Sequence, residues 1–367
     1  MSYLILAINP GSTSTKIGLY RDEEPVFVQN IEHDQATLKK FLILSAQKMF
    51  RLGFVLGALA EANVDVADLD AVVGRGGLMP VLETGGYIVN DIMKNWITAE
   101  KGGSNAANLG SLMADLLAKQ AGCDAYIYDA VAAGRLSEVA SITGFTEIKR
   151  KSQSHVLNSR AQCIQYASRI GKRFEDLNII VCHMGGGTSL SVYEKGIMKD
   201  SVADDMGPLS SDRSGTAPLM DFVNAFFKPG MDINEIKNKI RGGGGLVAHF
   251  GTADFREVEI EANSGDPKAA LLVDAKAYNI AKSIGSLATV VNGRVDAIIL
   301  TGGIAHSNYF MQNIASRVDF IADVVVAGGE YEMEAMVGGC LRIMRGEEVV
   351  RRLVDITPDG FGVSEIV

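Results

Sequence analysis

The sequence of 367 residues is poor in cysteine, proline and aromatic residues. It holds four cysteines, eight prolines and one tryptophan, and aromatic residues make up 7% of the chain. The cysteines, at positions 123, 163, 182 and 340, show neither a Cys-x-x-Cys pair nor a zinc-type spacing. This scatter argues against a disulfide framework and a structural zinc site, so we predict four reduced thiols.

Long apolar runs and excess positive charge are missing as well. The longest apolar runs, such as 296–301, have strand length and fall far below the roughly 20 residues of a membrane span. No basic and apolar signal region opens the sequence, so we expect a cytoplasmic protein without a membrane partner. The 35 basic residues face 44 acidic ones, for a net charge of −9. We therefore expect no nucleic-acid partner, and small anions must be bound by local sites.

Two common nucleotide-binding signatures are also missing. Neither the Walker-type GxxxxGK[ST] nor GxGxxG occurs, which argues against a P-loop and against a Rossmann dinucleotide site. What the chain does contain is an alternation of short Val-, Ile- and Leu-rich runs with longer amphipathic ones, which predicts an α/β fold. The expected strands are 3–9, 15–20, 25–30, 70–74, 125–128, 178–183, 188–193, 197–201, 296–301 and 321–326. The expected helices are 35–62, 98–120, 155–171, 216–228, 232–241, 267–291, 307–317 and 331–345.

Two stretches of the chain repeat one pattern. ILAINPGSTSTKIGLY at 5–20 and IVCHMGGGTSLSVY at 180–193 both read as a strand, a turn of glycine and hydroxyl residues, and a second strand. Such turns present backbone N–H groups and hydroxyls to an anion, and two of them facing each other across a cleft would hold a chain of phosphates. A third glycine turn, in ILTGGIAHSN at 299–308, follows a strand and opens a helix. The repetition predicts two related domains.

A tetraglycine at 242–245 follows the expected helix 232–241. Glycines in this position form either a helix C-cap with a loop or a mobile hinge or lid. The sequence leaves both interpretations open.

Five motifs together resemble the acetate/butyrate kinase family, most closely its butyrate kinase branch. They are INPGSTSTKIGLY (8–20), CHMGGGTS (182–189), SDRSG (211–215), GTADFREVE (251–259) and LTGGIAHSN (300–308). The resemblance implies an α/β protein with two duplicated ribonuclease-H-like (actin-like ATPase) domains around a nucleotide cleft. We expect the first domain at 1–155, completed by a C-terminal helical segment at 331–367, and the second at 156–330.

The resemblance also implies a reversible transfer of the γ-phosphoryl group of ATP to a short-chain carboxylate, with Mg²⁺, which gives ADP and an acyl phosphate. A carboxylate is already ionised at neutral pH, so it needs no general base but does need cations that offset its repulsion from the triphosphate. The expected partners are a nucleotide and a small carboxylic acid, with butyrate first and isobutyrate, valerate, propionate and acetate as alternatives. The family also implies a homo-oligomer. A nucleotide-gated actin-like ATPase and a hydrolase of the same superfamily stay open as other functions.

Two arginines in glycine-rich settings match functional positions of the family. Arg75 in VVGRGGLMP would hold the substrate carboxylate, and Arg213 in SDRSG would bridge it to the γ-phosphoryl group. Arg75 is followed by glycines at 76–77, where the acetate enzymes carry bulkier apolar residues. We expect these glycines to leave room for extra methylene groups of the acid.

Four further residues match catalytic positions of the family. His183 would donate a hydrogen bond to the transferring phosphoryl group, and Lys16 would face the same group. Asp129 in IYDAVAAG would place the metal or orient Arg213. His155 matches the second of two family histidines, and its role in the transition state stays open because the first is missing.

The same match gives the nucleotide contacts. The expected residues are Asn9, Ser12, Thr13, Ser14, Gly185, Gly186, Gly187, Asp254, Phe255, Arg256, Gly302, Gly303 and Ile304. In the family the aspartate contacts the ribose and the arginine contacts the adenosine, while the last three approach the base.

The metal ligands also follow from the match. They are Asn9, Asp129 and a glutamate in GGEYEME, which we place at Glu330 with Glu332 as the alternative.

Overall fold

The computed structural model describes residues 2–329, 331–357 and 360–366. The strands are β1 (Leu4–Pro10), β2 (Ser14–Arg21), β3 (Glu24–Glu32), β4 (Ala71–Arg75), β5 (Gly86–Ile88), β6 (Asp124–Tyr128), β7 (Asn178–Met184), β8 (Thr188–Glu194), β9 (Ile197–Val202), β10 (Ala297–Gly302), β11 (Val324–Gly328), β12 (Val350–Thr357) and β13 (Gly360–Ile366). The α-helices are α1 (Gln35–Leu38), α2 (Gln47–Glu61), α3 (Asp91–Thr98), α4 (Asn108–Ala121), α5 (Glu138–Ser141), α6 (Val156–Arg169), α7 (Leu219–Phe226), α8 (Ile233–Ile240), α9 (Gly245–Phe250), α10 (Phe255–Ser264), α11 (Pro267–Ala288), α12 (Asn308–Ala315) and α13 (Glu332–Met344).

The chain divides into two compact units. The first unit comprises Met1–Arg135 and Tyr331–Val367, and the second comprises Leu136–Glu330. The first division lies before the expected boundary at 155, because the segment after Arg135 bonds to the second unit. Within that segment, the Arg150 guanidinium pairs with the Asp200 carboxylate at 2.8 Å. The C-terminal part of the first unit, expected to be helical, contains α13 followed by the antiparallel pair β12 and β13.

The first unit is built on an eight-stranded sheet. Its strand order is β13-β12-β5-β6-β4-β1-β2-β3. The central strands are buried because α4 and α13 pack against them, and a strand covered on both faces reads as a continuous apolar run. A Cβ on Gly74 of β4 would lie 2.2 Å from the carbonyl oxygen of Gly110 in α4. Glycine at 74 therefore lets the helix approach the strand closely.

The second unit has a five-stranded sheet with the order β11-β10-β7-β8-β9. In it, β7 pairs antiparallel with β8 and parallel with β10. The first unit contains the same arrangement, because β1 pairs antiparallel with β2 and parallel with β4. The long helix α11 packs on the β7 and β8 strands of the second sheet. The hairpin repeat predicted from the sequence therefore belongs to a strand arrangement that occurs in both sheets.

Several expected helices are shorter than their patterns. The expected helix 35–62 is interrupted, and its regular part begins at Gln47. The expected helix 98–120 begins at Asn108, because Gly103 before it adopts the left-handed conformation with φ 99°. The sequence patterns did not predict α3, α5, α9, α10, β5, β12 or β13, and three-residue β5 is too short for a hydrophobic pattern to detect.

The four cysteines are free thiols, and three of them are buried. The prediction of reduced thiols is confirmed. No helix within the described ranges combines the length and the apolar character that crossing a membrane requires.

Candidate active site

The first hairpin turn connects β1 and β2. The N–H of Gly11 donates to the carbonyl of Ser14 at 2.8 Å and closes the turn. The strand register places Asn9 opposite Lys16, whose side chain is exposed. The hydroxyl residues at 12–14 are exposed or half-buried. The structure therefore brings the predicted residues of this hairpin together at one end of the sheet.

Asn9 also contacts a glutamate of the same unit. Its Nδ2 donates to Oε2 of Glu332 at 2.6 Å. Glu330, the metal ligand that we preferred, lies outside the described residues. Nowhere in the described ranges does a group of three or more His, Cys, Asp or Glu form a metal site. Mg²⁺ needs few protein ligands when phosphates supply the others, and the oxygen atoms of Asn9 and Glu332 are of the type it prefers.

Arg75 and Asp129 are in contact through the backbone. Nη1 of the buried Arg75 donates to the carbonyl oxygen of Asp129 at 2.5 Å. Asp129 adopts a left-handed conformation with φ 39°, and its Oδ1 accepts a hydrogen bond from the N–H of Gly85 at 2.7 Å. That bond holds the strained turn after β6 and thereby fixes the carbonyl that Arg75 contacts. Because a neutral carbonyl accepts this bond, the contact does not neutralise the Arg75 guanidinium.

The glycines after Arg75 serve packing. A Cβ on Gly76 would lie 2.6 Å from Cβ of Ala130, and one on Gly77 would lie 1.9 Å from Oδ1 of Asn108. The space that the missing side chains leave is thus filled by other residues of the protein. The prediction that these two glycines widen a substrate pocket is wrong, because glycine is needed here for close approach.

Replacing Gly77 by alanine is expected to lower the free energy of unfolding by about 2 kcal/mol, as overpacking of a filled interior does. The new Cβ would displace the Asn108 amide, which accepts a hydrogen bond from the N–H of Leu78 at 2.7 Å. Gly57→Ala is the matched control, since nothing lies within 4 Å of its Cβ position in α2. The control should be stabilised by up to about 1 kcal/mol. Urea unfolding measures both, and equal stability of the two variants would contradict the prediction.

The second hairpin turn connects β7 and β8. The N–H of Gly185 donates to the carbonyl of Gly187 at 2.9 Å. The carbonyl of Gly186 accepts from the N–H groups of Ser211 and Asp212, at 3.1 and 3.3 Å. The loop that carries Arg213 is thus bonded directly to the glycine turn.

Two carboxylates hold Arg213. Its Nε lies 3.0 Å from Oδ2 of Asp204, and its Nη1 lies 2.7 Å from Oδ2 of Asp212. Arg241 approaches the same Asp204 at 3.1 Å and Asp205 at 3.0 Å. The guanidinium of Arg213 is therefore fixed in orientation, with a quarter of its side chain exposed. The sequence prediction included neither carboxylate, although Asp212 stands directly beside the arginine in SDRSG and was a usable signal.

The tetraglycine at 242–245 packs under this loop. The N–H of Gly242 donates to the carbonyl of Asp212 at 2.7 Å. A Cβ on Gly245 would lie 2.0 Å from the carbonyl oxygen of Ser210, and Gly245 has a positive φ of 61°. These contacts favour a tightly packed loop over the hinge or lid.

His155 and His183 stack on each other. Their ring centroids lie 4.0 Å apart with an interplanar angle of 15°. Nδ1 of His183 faces Nδ2 of Asn158 at 2.9 Å, and Nδ1 of His155 faces Oγ of Ser189 at 2.8 Å. Because the Asn158 amide nitrogen is a donor, Nδ1 of His183 accepts and the neutral ring carries its proton on Nε2.

A cavity of about 790 Å³ lies in the second unit. Its wall includes seven of the residues predicted to bind the nucleotide, namely Gly185, Gly186, Asp254, Phe255, Arg256, Gly303 and Ile304. Gly302 has a φ of 92°, and a Cβ there would lie 2.4 Å from the carbonyl oxygen of Met184. This close approach sets the third glycine turn against the end of β7, beside the second hairpin. The volume of the cavity is typical of sites that bind drug-sized ligands.

The Asp254-Phe255-Arg256 segment begins α10. The Asp254 carboxylate caps the helix and pairs with the Arg256 guanidinium at 2.6 Å, and these hydrogen bonds lower the pKa of Asp254. The Arg256 side chain is mostly exposed. The Phe255 ring is buried in the core, 4.7 Å from the Phe310 ring. Phe255 therefore supports the cavity wall from the core, while its two neighbours face outward.

The sequence is similar to that of known proteins. Residues 153–335 match the model of the acetokinase family. The chain is 44% identical over 348 residues to Butyrate kinase 1 of Clostridium acetobutylicum, which covers 94% of this chain and 98% of that protein. It is 43% identical over 347 residues to Probable butyrate kinase 2 of Caldanaerobacter subterraneus subsp. tengcongensis, with the same coverage of 94% and 98%.

Solved structures show the fold. The acetate kinase of Porphyromonas gingivalis has a TM-score of 0.76 at 17% identity, with 93% of this chain and 100% of that chain covered. The acetate kinase of Entamoeba histolytica has a TM-score of 0.72 at 16% identity, with 92% and 98% covered. These findings confirm both the expected two-domain actin-like α/β fold and the family resemblance. The chain belongs to the acetokinase family.

Proposed function

We propose that the protein is a kinase that transfers the γ-phosphoryl group of ATP to a short-chain carboxylate, with butyrate as the first candidate. Identity of more than 40% to two butyrate kinases supports the substrate class. The observation that carries the proposal is the bonding of the Arg213 loop to the glycine turn of a nucleotide-sized cavity. A phosphate-binding turn next to an oriented guanidinium is what phosphoryl transfer requires.

The proposed step is a direct in-line displacement. A carboxylate oxygen forms a bond to the γ-phosphorus while the bond between that phosphorus and the oxygen of the departing ADP breaks. No proton moves, because the carboxylate is already ionised. The protein must therefore position the reactants and offset their negative charge.

We assign the charged side chains to these tasks. Arg75 binds the substrate carboxylate, and Asp129 acts by holding Arg75 through its carbonyl. Arg213 stabilises charge on the transferring phosphoryl group, and Asp204 and Asp212 orient it. In this assignment Asp129 positions Arg75, and Arg75 contacts the acid.

The histidine pair and Lys16 complete the proposed catalytic set. The N–H at Nε2 of His183 donates a hydrogen bond to a phosphoryl oxygen, while Asn158 fixes the ring through Nδ1. His155 supports His183 by stacking. The exposed Lys16 offsets negative charge on the same phosphoryl group.

The nucleotide and metal assignments follow the two hairpins. The turns at 12–14 and 185–187 would hold phosphates, and the cavity between Asp254, Arg256 and Ile304 would hold the adenosine. Asn9 and Glu332 would hold Mg²⁺, which supplies positive charge at the phosphates. The use of ATP implies a cytoplasmic location.

We also propose a homo-oligomer. In α7 all eight residues lie outside the core, and the apolar side chains of Leu219 and Met220 are 67% and 69% exposed. Apolar surface of this kind is typical of protein interfaces.

An acid panel tests the proposed function. The protein is incubated with ATP, Mg²⁺ and hydroxylamine, which traps acyl phosphates as hydroxamates, in the presence of acetate, propionate, butyrate, isobutyrate or valerate. We expect product with a maximum at four carbons, in keeping with the identity to butyrate kinases. Neighbouring acids should still react, because one methylene group changes the discrimination between substrates by only about 1–3 kcal/mol. ATP turnover that needs no acid, with no hydroxamate, would contradict the proposal and favour the ATPase or hydrolase alternative.

A further inference from the structure

A buried arginine lies behind the first hairpin turn. Arg51 of α2 is fully buried, and its guanidinium donates to three backbone carbonyls of the turn. Nη1 lies 2.8 Å from the oxygen of Gly11 and 2.6 Å from that of Ser14, and Nη2 lies 3.1 Å from that of Ser12. One side chain thus fixes most of the turn.

The remaining partners of Arg51 are neutral as well. Nη1 donates to Oγ1 of Thr15 at 3.2 Å, while Nε and Nη2 donate to Oε1 of Gln47 at 3.1 and 2.9 Å. In the described part of the chain, no carboxylate forms an ion pair with Arg51. Burial lowers its pKa, but a guanidinium stays charged in proteins. The hairpin turn therefore carries an uncompensated buried positive charge, which is costly unless it has a use.

The carbonyl contacts also fix where the N–H groups of the turn point. The described residues contain no cis peptide bond, and in a trans peptide the carbonyl of one residue and the N–H of the next point in opposite directions. Because the carbonyls of Gly11 and Ser12 face Arg51, the N–H groups of Ser12 and Thr13 point away from it. Neither of these two N–H groups donates a hydrogen bond to any described residue. Adjacent N–H groups with one direction form an anion-binding site.

A buried cation also contacts the second hairpin, through the first residue of β8. Lys276 of α11 is fully buried, and its Nζ donates to Oγ1 of Thr188 at 3.2 Å and to the carbonyl of Leu209 at 3.3 Å. Thr188 begins β8, just as Thr15 stands near the start of β2, so the two threonines hold equivalent places in the repeated hairpin. A buried cation behind each turn fits a common task at phosphate.

We propose that Arg51 is a positioning residue for phosphate binding. Its hydrogen bonds hold the carbonyls of the turn toward the interior, so that the N–H groups of Ser12 and Thr13 face a phosphate of the nucleotide. Its positive charge strengthens the attraction between these N–H groups and the phosphate. The inference rests on the proposed ATP-dependent function. It assigns to Arg51 a part of the affinity for the outer phosphates of ATP and no part of the affinity for adenosine.

Two variants and one control test this inference. Arg51→Lys keeps the charge, but its single nitrogen cannot donate to all the carbonyls of the turn at once. Arg51→Gln removes the charge. Lys48→Gln, at a half-buried residue of the same helix, is the control for charge loss. Isothermal titration measures the dissociation constants of ATP and AMP, and thermal unfolding reports the fold. Should Arg51→Gln fail to fold, Arg51→Lys carries the test.

We expect Arg51→Lys to weaken ATP binding about tenfold and Arg51→Gln to weaken it further, with AMP binding and the control unchanged. A folded Arg51 variant with unchanged ATP affinity overturns the inference. So does an equal loss for ATP and AMP, which would mean a general structural role. Wild-type protein that binds ATP but forms no acyl phosphate would overturn the proposed function alone, and the comparison of ATP with AMP would still decide the role of Arg51.

Discussion

Arg213→Lys is expected to lower the turnover number for acyl phosphate formation about a thousandfold, the range found for arginines that stabilise a transferring phosphoryl group. The guanidinium is held by Asp204 through Nε and by Asp212 through Nη1. These two contacts leave the planar group in one orientation. A lysine retains the charge but offers one nitrogen on a flexible stem, so it cannot keep both contacts and also meet the phosphate.

The loss should fall on the turnover number. If Arg213 interacts mainly with charge that develops in the transition state, the Michaelis constants for ATP and for the acid change little. Steady-state kinetics in the hydroxamate assay separates the two quantities.

A distant arginine provides the control for Arg213. Arg173 of the same unit is 74% exposed and pairs with Glu175 at 3.5 Å, so Arg173→Lys should leave the rate unchanged. Thermal unfolding checks that both variants fold. A turnover number within threefold of wild type for folded Arg213→Lys would mean that the arginine serves only to bind Asp204 and Asp212.

The parts of the fold and the site that the sequence predicted are those with a local signal. The turn residues of the two hairpins interrupt apolar strands with glycine and hydroxyl groups, and both turns formed where the pattern indicated. The same holds for Arg213, which stands between a turn signal and a glycine. In these segments the residue types of a short stretch determine its structure, so the stretch can be predicted without knowledge of distant contacts.

Other features depend on contacts between distant segments. Arg51 lies in an amphipathic stretch where a cation normally faces water, and only the position of the first hairpin makes it a buried partner of the turn. Gly77 suggested an open pocket because the sequence does not show that Asn108 fills the space. A residue's type gives its chemistry, but the occupant of the space beside it is set by tertiary packing.

Lys276→Met is expected to make the protein more stable at pH 7. Burial lowers the pKa of Lys276 to about 8, so the ammonium is charged at pH 7 and lacks full solvation. Relative to an ordinary lysine, this shift costs about 3 kcal/mol of folding free energy at any pH below the folded pKa. Methionine removes the charge but gives up the hydrogen bonds to Thr188 and Leu209, which are worth about 1 kcal/mol each. The net gain in unfolding free energy at pH 7 is about 1 kcal/mol.

The sign of the pH dependence makes this prediction specific. Between the folded pKa near 8 and the unfolded pKa near 10.5, the unfolded chain binds more protons at Lys276 than the native protein does. Wild-type stability from this group therefore rises as the pH rises through that window. The advantage of Lys276→Met should shrink accordingly and reverse about one pH unit above the folded pKa, where the lost hydrogen bonds outweigh the remaining cost of the charge. Urea unfolding at pH 7 and at pH 9.5 measures the change.

Activity should move in the opposite direction from stability. Lys276 ties Thr188 of the second hairpin to Leu209, two residues before the segment that carries Arg213, so its loss loosens the proposed phosphate site. We expect about a tenfold lower turnover, a trade of stability against function that is common where a site needs a costly group. Lys282→Met, at an exposed position of the same helix, should change neither quantity. A stability difference between wild type and Lys276→Met that stays constant with pH would show that the ammonium is not desolvated, and unchanged activity would remove Lys276 from the phosphate site.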